Sequence, residues 1–222
     1  MSNAVFLQVR LDSTRLPNKA LKPIMGIPAV VHAMRSLSLI PTDYHVVLTT
    51  EDSQSALADI VNNEGWDLYI GSKSDVLDRY YKASLTYEVE EIIRATGDNP
   101  LVSYEWAIKA IEQRQLKDAD YCGYQGLPIG TGVEVVKASA LKRAWTESTQ
   151  PYHREHVMPY LYENPDKFRI HKPLVDVRYR LWNSSVTMDT QEDYDYIKKI
   201  FNSLYHKEPI SFEDLQHWLI QQ

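Results

Sequence analysis

The chain has 222 residues, of which 44% are hydrophobic and 24% charged, and its formal net charge at pH 7 is −6. This composition predicts a well-packed globular protein and argues against a disordered one. The isoelectric point near 5.6 argues against a nucleic-acid partner, because nucleic-acid-binding proteins usually present a basic face. No stretch approaches the roughly 20 apolar residues of a membrane span, and no signal peptide is visible. We therefore expect a cytoplasmic protein without a membrane partner.

The first half of the chain alternates short apolar runs, typical of buried strands, with segments that have the apolar spacing of helices. Strands are predicted at residues 4–9, 44–50, 67–71 and 90–97. Helices are predicted at residues 27–40, 53–65, 74–87 and 102–114. Four strand–helix units in succession predict an α/β fold with a mostly parallel central sheet, helices on both faces and right-handed crossovers.

Several helix ends carry capping signals. Gly65 is placed to terminate the second helix, and Ser74 to cap the start of the third. The strings TQED, beginning at Thr190, and SFED, beginning at Ser211, have the form of capping boxes with Asp in place of Glu. They predict the starts of the last two helices.

The second half is less regular but contains no repeat, low-complexity tract or flexible linker. Its predicted strands are residues 120–125, 132–136, 168–174 and 184–188, and its other predicted helices are residues 139–148 and 152–165. We therefore expect a single domain over residues 1–222. The one cysteine, Cys122, excludes an internal disulfide and a cysteine-based zinc site. Its place in a predicted strand favours a buried, unreactive thiol.

The loop RLDSTRLPNKALK, residues 10–22, follows the first strand and concentrates positive charge in an acidic protein. It holds one anion, Asp12, and four cations: Arg10, Arg15, Lys19 and Lys22. Ligands of open parallel sheets bind at the carboxyl ends of the strands, where this loop begins. Arginine forks, a lysine point charge and the Ser13 hydroxyl would form a phosphate-binding loop. The alternative is a solvated surface loop.

Two familiar phosphate-binding motifs are missing from the sequence. It has neither GxxxxGK[ST] nor GxGxxG, which argues against P-loop NTPases and nicotinamide-dependent dehydrogenases.

Two aspartates follow predicted strands. Asp98 lies in RATGDNPL, between a strand and a helix, and Asp189 lies in SSVTMDTQEDY. Mg²⁺ prefers one or two carboxylates together with phosphate oxygens, so both are candidate magnesium ligands. Alternatively, Asp98 belongs to a turn and Asp189 to an ordinary helix start. Their separation in sequence does not show that they meet.

The segment YHREHVMPYLYENP contains His153 and His156, which are three residues apart and would share a helical face. Two histidines without a third ligand are weak support for zinc. Arg154 and His156 are better candidates for binding an anion or a sugar. The alternative is a solvated helical face.

Five blocks together resemble the sugar-acid cytidylyltransferases, and most closely the spore coat polysaccharide biosynthesis protein F family. That family is related to CMP-KDO synthetase and more distantly to CMP-sialic acid synthetase. The first block is QVRLDSTRLPNKALKPIMGIPAVVHAMRSL. The others follow in the family's order: GSKSDVLDRYYKA, RATGDNPLV, REHVMPYLYENPDKFRI and VTMDTQEDYDYIKKI. No single block would suffice, but the combination is specific and covers most of residues 5–201.

The resemblance implies a Rossmann-like nucleotide-diphospho-sugar transferase fold and the transfer of CMP from CTP to a sugar, with release of pyrophosphate. It implies Mg²⁺ as the cofactor, CTP and a small sugar acceptor as partners, and a homodimer. Catalytic roles fall to Arg10, Arg15 and Lys19, which would hold the triphosphate. The full set implied to bind the nucleotide is Val9, Arg10, Ser13, Arg15, Lys19, Ser72, Arg79 and Asp98, with Ser72 and Arg79 near the base.

The same resemblance implies that Asp98 and Asp189 hold Mg²⁺ and that Glu134, Arg154 and His156 face the acceptor. Two departures concern this half of the site. Thr187 stands where sialic-acid relatives carry the first of two acidic residues, and Gly132 stands where some relatives have an aspartate. These departures concern the acceptor and the number of metal ions and not the phosphate-binding loop. Independently of them, the alternatives are another nucleotide such as GTP, a phosphorylated sugar acceptor, or a non-catalytic module that binds nucleotide sugars.

Overall fold

The four strand–helix units predicted for the first half are present in a computed structural model, which describes residues 2–221. The strands, numbered along the chain, are β1 (Asn3–Gln8), β2 (Pro23–Ile24), β3 (Ile27–Pro28), β4 (Tyr44–Thr49), β5 (Asp67–Ile70), β6 (Glu91–Thr96), β7 (Tyr121–Cys122), β8 (Glu134–Lys137) and β9 (Ile170–His171). The helices are α1 (Ala29–Leu37), α2 (Glu51–Asn63), α3 (Val76–Thr86), α4 (Tyr104–Leu116), α5 (Ala138–Glu147), α6 (Pro151–His156), α7 (Pro159–Tyr162), α8 (Gln191–Leu204) and α9 (Phe212–Ile220). A single domain over residues 1–222 stays a prediction, since Met1 and Gln222 lie outside the described residues.

Seven strands form one sheet in the order β5-β4-β1-β6-β8-β7-β9. Strands β5, β4, β1 and β6 are parallel, while β8 is antiparallel to both β6 and β7, and β9 is parallel to β7. The predicted mostly parallel sheet is confirmed. The carboxyl ends of β1, β6, β7 and β9 and the amino end of β8 therefore lie along one side of the sheet, which we call the ligand edge.

Helices cover both faces of the sheet because the side chains of a strand alternate between its faces. On one face, Val5 and Leu7 of β1 pack in a core with α1, α2 and α4. On the other face, Ala4 and Phe6 pack with α3 and α5. Cys122 is a free, buried thiol in the first core, and burial raises its pKa to about 11. The predicted burial of the cysteine is confirmed, and its lack of reactivity stays a prediction.

The two C-terminal helices fix the loop that follows β1. Leu16 and Ile24 are buried against α8 and α9. The Tyr194 hydroxyl donates a 2.6 Å hydrogen bond to the carbonyl of Pro23. Because the apolar residues of the loop belong to a packed core, the backbone that carries its charged residues is held in place.

Three capping predictions are confirmed at the start or end of their helices. Gly65 follows α2 at φ +72°, Thr190 forms a complete capping box with Asp193 at α8, and Ser211 caps α9. The fourth is wrong: α3 begins one residue later than predicted, and the Asp75 carboxylate accepts the hydrogen bond from the backbone N–H of Asp78 at 2.8 Å.

Two element predictions for the second half are also wrong. The helix predicted over 152–165 breaks into α6 and α7 at Val157, which has φ +71°. Pro159 has no N–H with which to continue α6 and begins α7 instead. Residues 184–188 form no strand; Ser185 makes a single bridge to Ile129. Among residues 2–221, no helix is long and apolar enough to cross a membrane.

Candidate active site

A cleft of about 300 Å³ opens at the ligand edge above β1 and β6. We call it the first cleft. Its lining residues come from the end of β1, the loop after it, the segment after β6 and the residue before α8: Gln8, Val9, Arg10, Asp12, Ser13, Thr14, Arg15, Lys19, Ala20, Thr96, Gly97, Asp98 and Asp189. The loop predicted to bind phosphate thus lies in a cleft and is not simply a solvated surface loop.

Lys19 links the two aspartates that the sequence could not place together. Its Nζ lies 2.7 Å from Oδ2 of Asp98 and 2.6 Å from Oδ1 of Asp189. Burial alone would lower the pKa of the Lys19 ammonium, but the carboxylates outweigh burial and raise it. Burial alone would raise the pKa of Asp98, but Lys19 outweighs burial and holds it below its usual value. Lys19 and Asp98 are therefore both charged at neutral pH.

The charges lining the first cleft are balanced, although the sequence suggested a surplus of positive charge. Arg10, Arg15 and Lys19 are matched by three carboxylates from Asp12, Asp98 and Asp189. Contacts also pair them: Arg15 lies 3.3 Å from Asp189, and Arg10 lies 3.8 Å from Asp12. Lys22, the fourth cation of the loop, does not line the cleft.

Sequence reasoning missed Gln8 and Thr96, which end neighbouring strands and line the first cleft. The Gln8 Oε1 atom is buried without a hydrogen-bond partner among the described residues. Thr96 accepts a 2.8 Å hydrogen bond from the side chain of Asn99. The available signal was a polar residue at the last position of an apolar strand.

Gly97 is required where the cleft meets the sheet. A Cβ atom at this position would lie 2.7 Å from Cγ2 of Val9, closer than packed carbon atoms approach. Glycine therefore lets the chain carrying Asp98 pass directly over the end of β1. Val9, predicted near the nucleotide, lines the cleft at this point.

Ser72 and Arg79, predicted near the base, lie outside the lining of the first cleft. Ser72 accepts a 3.1 Å hydrogen bond from the backbone N–H of Asp75. Arg79 is fully buried, and none of its three side-chain nitrogens has a hydrogen-bond partner among the described residues. Burial lowers its pKa. A buried arginine with five unused N–H donors is costly to the free protein, so it is a candidate ligand-binding group.

A second cleft, of about 430 Å³, also lies at the ligand edge, above β8 and β7. It is lined by Tyr121, Gly123, Tyr124, Gln125, Leu127, Pro128, Ile129, Gly130, Gly132, Val133, Glu134, Tyr162 and Lys172. Of the three predicted acceptor ligands, only Glu134 lines it. Both oxygens of Glu134 are engaged, one by Arg94 at 2.5 Å and the other by the Tyr121 hydroxyl at 2.8 Å.

The other two predicted acceptor ligands lie on α6. Arg154 is held by the Asp75 carboxylate, 2.7 Å from its Nε, and by the carbonyl of Trp145. His156 is exposed, whereas His153 is buried and makes a 2.8 Å contact with Glu163. The two histidines therefore do not share a face, and no group of three or more metal-binding side chains was found within residues 2–221.

The fold and the first cleft together define a class of protein. An α/β sheet that carries converging cations and carboxylates at the carboxyl ends of its parallel strands is typical of enzymes that bind nucleotides or other phosphorylated ligands. A model of the family described as Cytidylyltransferase matches residues 4–217. The chain therefore belongs to the cytidylyltransferase family, as predicted, and a cytidylyltransferase transfers the CMP group of CTP to an acceptor.

Individual relatives agree with this assignment. The chain is 30% identical to the spore coat polysaccharide biosynthesis protein SpsF of Bacillus subtilis, over 97% of this chain and 93% of that protein. It is 34% identical to an uncharacterized protein of Methanocaldococcus jannaschii, over 85% of this chain and 78% of that protein.

Solved structures are similar over nearly the whole chain. A cytidylyltransferase from Leptospira borgpetersenii superposes with a TM-score of 0.92 at 27% identity, over 100% of this chain and 94% of that one. A CMP:2-keto-3-deoxy-manno-octonic acid synthetase complexed with CTP superposes with a TM-score of 0.72 at 12% identity, over 91% of this chain and 99% of that one. The second likeness shows the fold alone. The predicted nucleotide-diphospho-sugar transferase fold is confirmed.

Proposed function

We propose that this enzyme transfers CMP from CTP to a hydroxyl group of a sugar acid used in polysaccharide synthesis. The acceptor oxygen attacks the α-phosphorus and its proton passes to water, while the bond from that phosphorus to the β-phosphate oxygen breaks and pyrophosphate leaves. The observation that carries the proposal is the convergence of Lys19, Asp98 and Asp189 in one cleft. A cytoplasmic location is proposed with it, because CTP is an intracellular nucleotide; cell fractionation tests this.

Residues of the first cleft would act by charge stabilisation and positioning, which are the main requirements of phosphoryl transfer. Arg10 and Arg15 offer forked donors to phosphate oxygens. The Lys19 ammonium would neutralise charge that develops on the leaving pyrophosphate. Ser13 lines the same cleft and offers a hydroxyl. No protein base is required for this chemistry, and none is assigned.

Mg²⁺ is the proposed cofactor, held by Asp98 and Asp189. Both carboxylates are about one-third exposed, and both contact a single cationic nitrogen, so one cation can contact both. The balanced charges of the first cleft leave the negative charge of a triphosphate uncompensated, and a divalent cation would offset part of it. When bound with CTP, Mg²⁺ would supply further charge stabilisation and polarise phosphate oxygens.

The sugar acid as acceptor is supported by the names of two similar proteins, one of polysaccharide biosynthesis and one a synthetase of an activated 2-keto-3-deoxy sugar acid. The second cleft provides space for it beside the first. Glu134 lines that cleft and would face the acceptor. Arg154 and His156 remain proposed acceptor ligands that would require movement of α6, because neither lines the cleft in this structure.

The proposed reaction is tested by thermal unfolding with CTP, GTP, UTP or ATP, with and without Mg²⁺, followed by a pyrophosphate-release assay with sugar acids. A ligand at 100 times its dissociation constant stabilises a protein by about 2.7 kcal/mol, which for this size corresponds to roughly 5 to 10 °C. We expect this shift with CTP and Mg²⁺. A larger shift with GTP would contradict the choice of CTP. Binding without pyrophosphate release from any acceptor would indicate a non-catalytic module.

A homodimer is also proposed, with an apolar surface patch as the interface. The patch consists of Ile129, Leu174, Val177 and Trp182, each between 46% and 73% exposed, on two segments that the bridges Gln125–Leu174 and Ile129–Ser185 join. Asp176 and Arg178 are exposed on either side of Val177. A two-fold interface brings the same patch of both copies together, so an apolar centre flanked by both signs of charge is self-complementary. A second copy of this chain is therefore the occupant we propose.

Val177→Asp is expected to convert the dimer to a monomer in multi-angle light scattering, because it places a charge at the centre of the interface. Val177 is 73% exposed, so the change should leave the fold intact. The matched control is Leu116→Asp, which alters a residue of α4 that is 72% exposed and lies outside the patch. A wild-type protein that is monomeric at micromolar concentration would contradict the dimer.

A further inference from the structure

The second cleft contains a cation whose role the sequence did not indicate. Lys172 follows β9 at the ligand edge, and its Nζ lies 3.7 Å from the ring centroid of Tyr162 and 5.8 Å from that of Tyr121. Among the described residues, it forms no ion pair with a carboxylate. We propose that Lys172 binds the carboxylate of the acceptor and thereby selects a sugar acid over a neutral or phosphorylated sugar. This inference rests on the proposed transfer of CMP.

Lys172 supplies the uncompensated charge of the second cleft. The other charged residue of the lining is Glu134, which by itself would repel an acidic sugar. Arg94 neutralises it through the 2.5 Å contact, and the Tyr121 hydroxyl donates to its second oxygen. The Lys172 ammonium is thus the charge available to an incoming ligand. Because this charge is positive, the ligand group that binds it must be an anion.

The aromatic surroundings hold this ammonium over the cleft. An ammonium ion above the face of an aromatic ring is attracted by its quadrupole, by about 0.5–1 kcal/mol at exposed sites. Burial raises the pKa of the Tyr162 phenol to about 12, so the phenol stays neutral and can donate a hydrogen bond. Lys172 has no hydrogen-bond acceptor within residues 2–221, so its N–H groups are available to a ligand.

A ligand held by Lys172 would lie next to the site of CMP transfer. Strands β6 and β8 are neighbours, with Arg94 opposite Glu134, and neighbouring strands lie about 4.8 Å apart. Two residues further towards the ligand edge, Thr96 lines the first cleft and Gly132 lines the second. The clefts therefore adjoin, and a hydroxyl of an acceptor in the second can approach the α-phosphate of a nucleotide in the first.

The charge count favours a carboxylate over a phosphate. Phosphate groups on proteins are usually bound by several charge-assisted donors, often with arginine forks. Of the residues that the structure describes, one lysine, one glutamate and no arginine line the second cleft. A single ammonium with neighbouring tyrosine hydroxyls matches one negative charge.

The test compares wild type, Lys172→Met and Lys172→Arg in pyrophosphate release. The acceptor probes are 3-deoxy-manno-octulosonate and N-acetylneuraminate, their methyl esters, and mannose 1-phosphate. We expect Lys172→Met to raise the KM for the free acid at least tenfold with the KM for CTP unchanged. Lys172→Arg should restore most of the affinity. With the methyl ester, wild type and Lys172→Met should be equal, because the ester carries no charge for Lys172 to bind.

Lys109→Met is the matched control. Lys109 is also an exposed lysine whose Nζ lies over an aromatic ring, 4.2 Å from that of Trp106, but it lines neither cleft. Its kinetics should match those of wild type.

Three results would overturn the inference. The first is an equal KM for the free acid in wild type and Lys172→Met. The second is transfer of CMP to mannose 1-phosphate in preference to the acids. The third is that a protein stabilised by CTP transfers CMP to neither acid. Failure of CTP to stabilise the protein is a different result, because it rejects the proposed transfer of CMP itself.

Discussion

Lys19→Met is expected to lower the turnover of CTP by about 10²- to 10³-fold, the usual effect of removing one charge-stabilising group from a transition state. Lys19 is the least exposed cation in the ion pairs of the first cleft, with 13% of its side chain accessible. A neutral side chain cannot balance the charge that develops on pyrophosphate. Steady-state kinetics of pyrophosphate release measures the effect.

The same variant should bind a divalent cation without nucleotide. In the free protein the Lys19 ammonium occupies the position between Asp98 and Asp189, where it competes with a metal ion. Removing it leaves two adjacent carboxylates that repel each other, and a divalent cation relieves that repulsion. Calorimetry or electron paramagnetic resonance with Mn²⁺ should show weak binding to the wild type and at least tenfold tighter binding to Lys19→Met.

Lys137→Met provides the matched control. The Lys137 Nζ also lies against two aspartates, 2.6 Å from Asp118 and 3.5 Å from Asp120, with 18% of its side chain accessible. It ends β8 opposite the start of β6, on the side of the sheet away from the ligand edge, so turnover should not change. If Lys19→Met and Lys137→Met lowered turnover equally, the effect of Lys19→Met would be explained by a loss of stability. Unchanged Mn²⁺ affinity in Lys19→Met would contradict the assignment of the two aspartates to Mg²⁺.

Arg79→Met is expected to stabilise the free protein and to weaken its binding of CTP. The guanidinium of Arg79 is buried without a hydrogen-bond partner among the described residues, and a buried unpaired charge is strongly unfavourable. Replacing it with an apolar side chain of similar length should raise the free energy of unfolding by at least about 1 kcal/mol, or Tm by roughly 2 to 4 °C. The CTP-induced increase in Tm should become smaller, because the donors that we propose for binding the nucleotide are lost.

Arg114→Met should have the opposite effect on stability. Arg114 is also buried, but it forms an ion pair with Glu91, and both side chains are at most 2% exposed. Breaking a buried pair leaves an uncompensated charge, at a cost of about 3–5 kcal/mol. Thermal unfolding with and without CTP measures both variants. If Arg79→Met lowered Tm and left the CTP-induced shift unchanged, Arg79 would be a structural residue with no role in binding the nucleotide.

Gly71 explains how Arg79 is accommodated. A Cβ atom at Gly71 would lie 2.7 Å from Cγ of Arg79, so the glycine allows the chain before α3 to pass against the arginine. The sequence GSKSDVLDR contains both residues. Their proximity is not predictable from this string, because the predicted helix begins at Ser74, whereas α3 begins at Val76.

Local sequence signals predicted most of the first half of the fold. The apolar run at residues 44–50 reflects burial within a sheet, and the helical spacing at residues 53–65 reflects burial along one side of a helix. Both patterns can be recognised within a short segment of sequence. Apart from the start of α3, the errors fall in the second half. There, β7 and β9 are only two residues long. Such short strands are stabilised more by packing and pairing with neighbouring strands than by the preferences of their own residues.

The sequence by itself determined the family, the parallel sheet and the positive loop at its edge, because these depend on motifs and periodicities within short segments. Only the tertiary structure brought Lys19, Asp98 and Asp189 together, since their contacts join residues 79 and 170 positions apart. It also decided that the charges of the first cleft are balanced, that Arg79 has no hydrogen-bond partner within residues 2–221, and that Lys172 faces the second cleft. Charge pairing and burial are properties of the folded chain as a whole, and no local pattern specifies them.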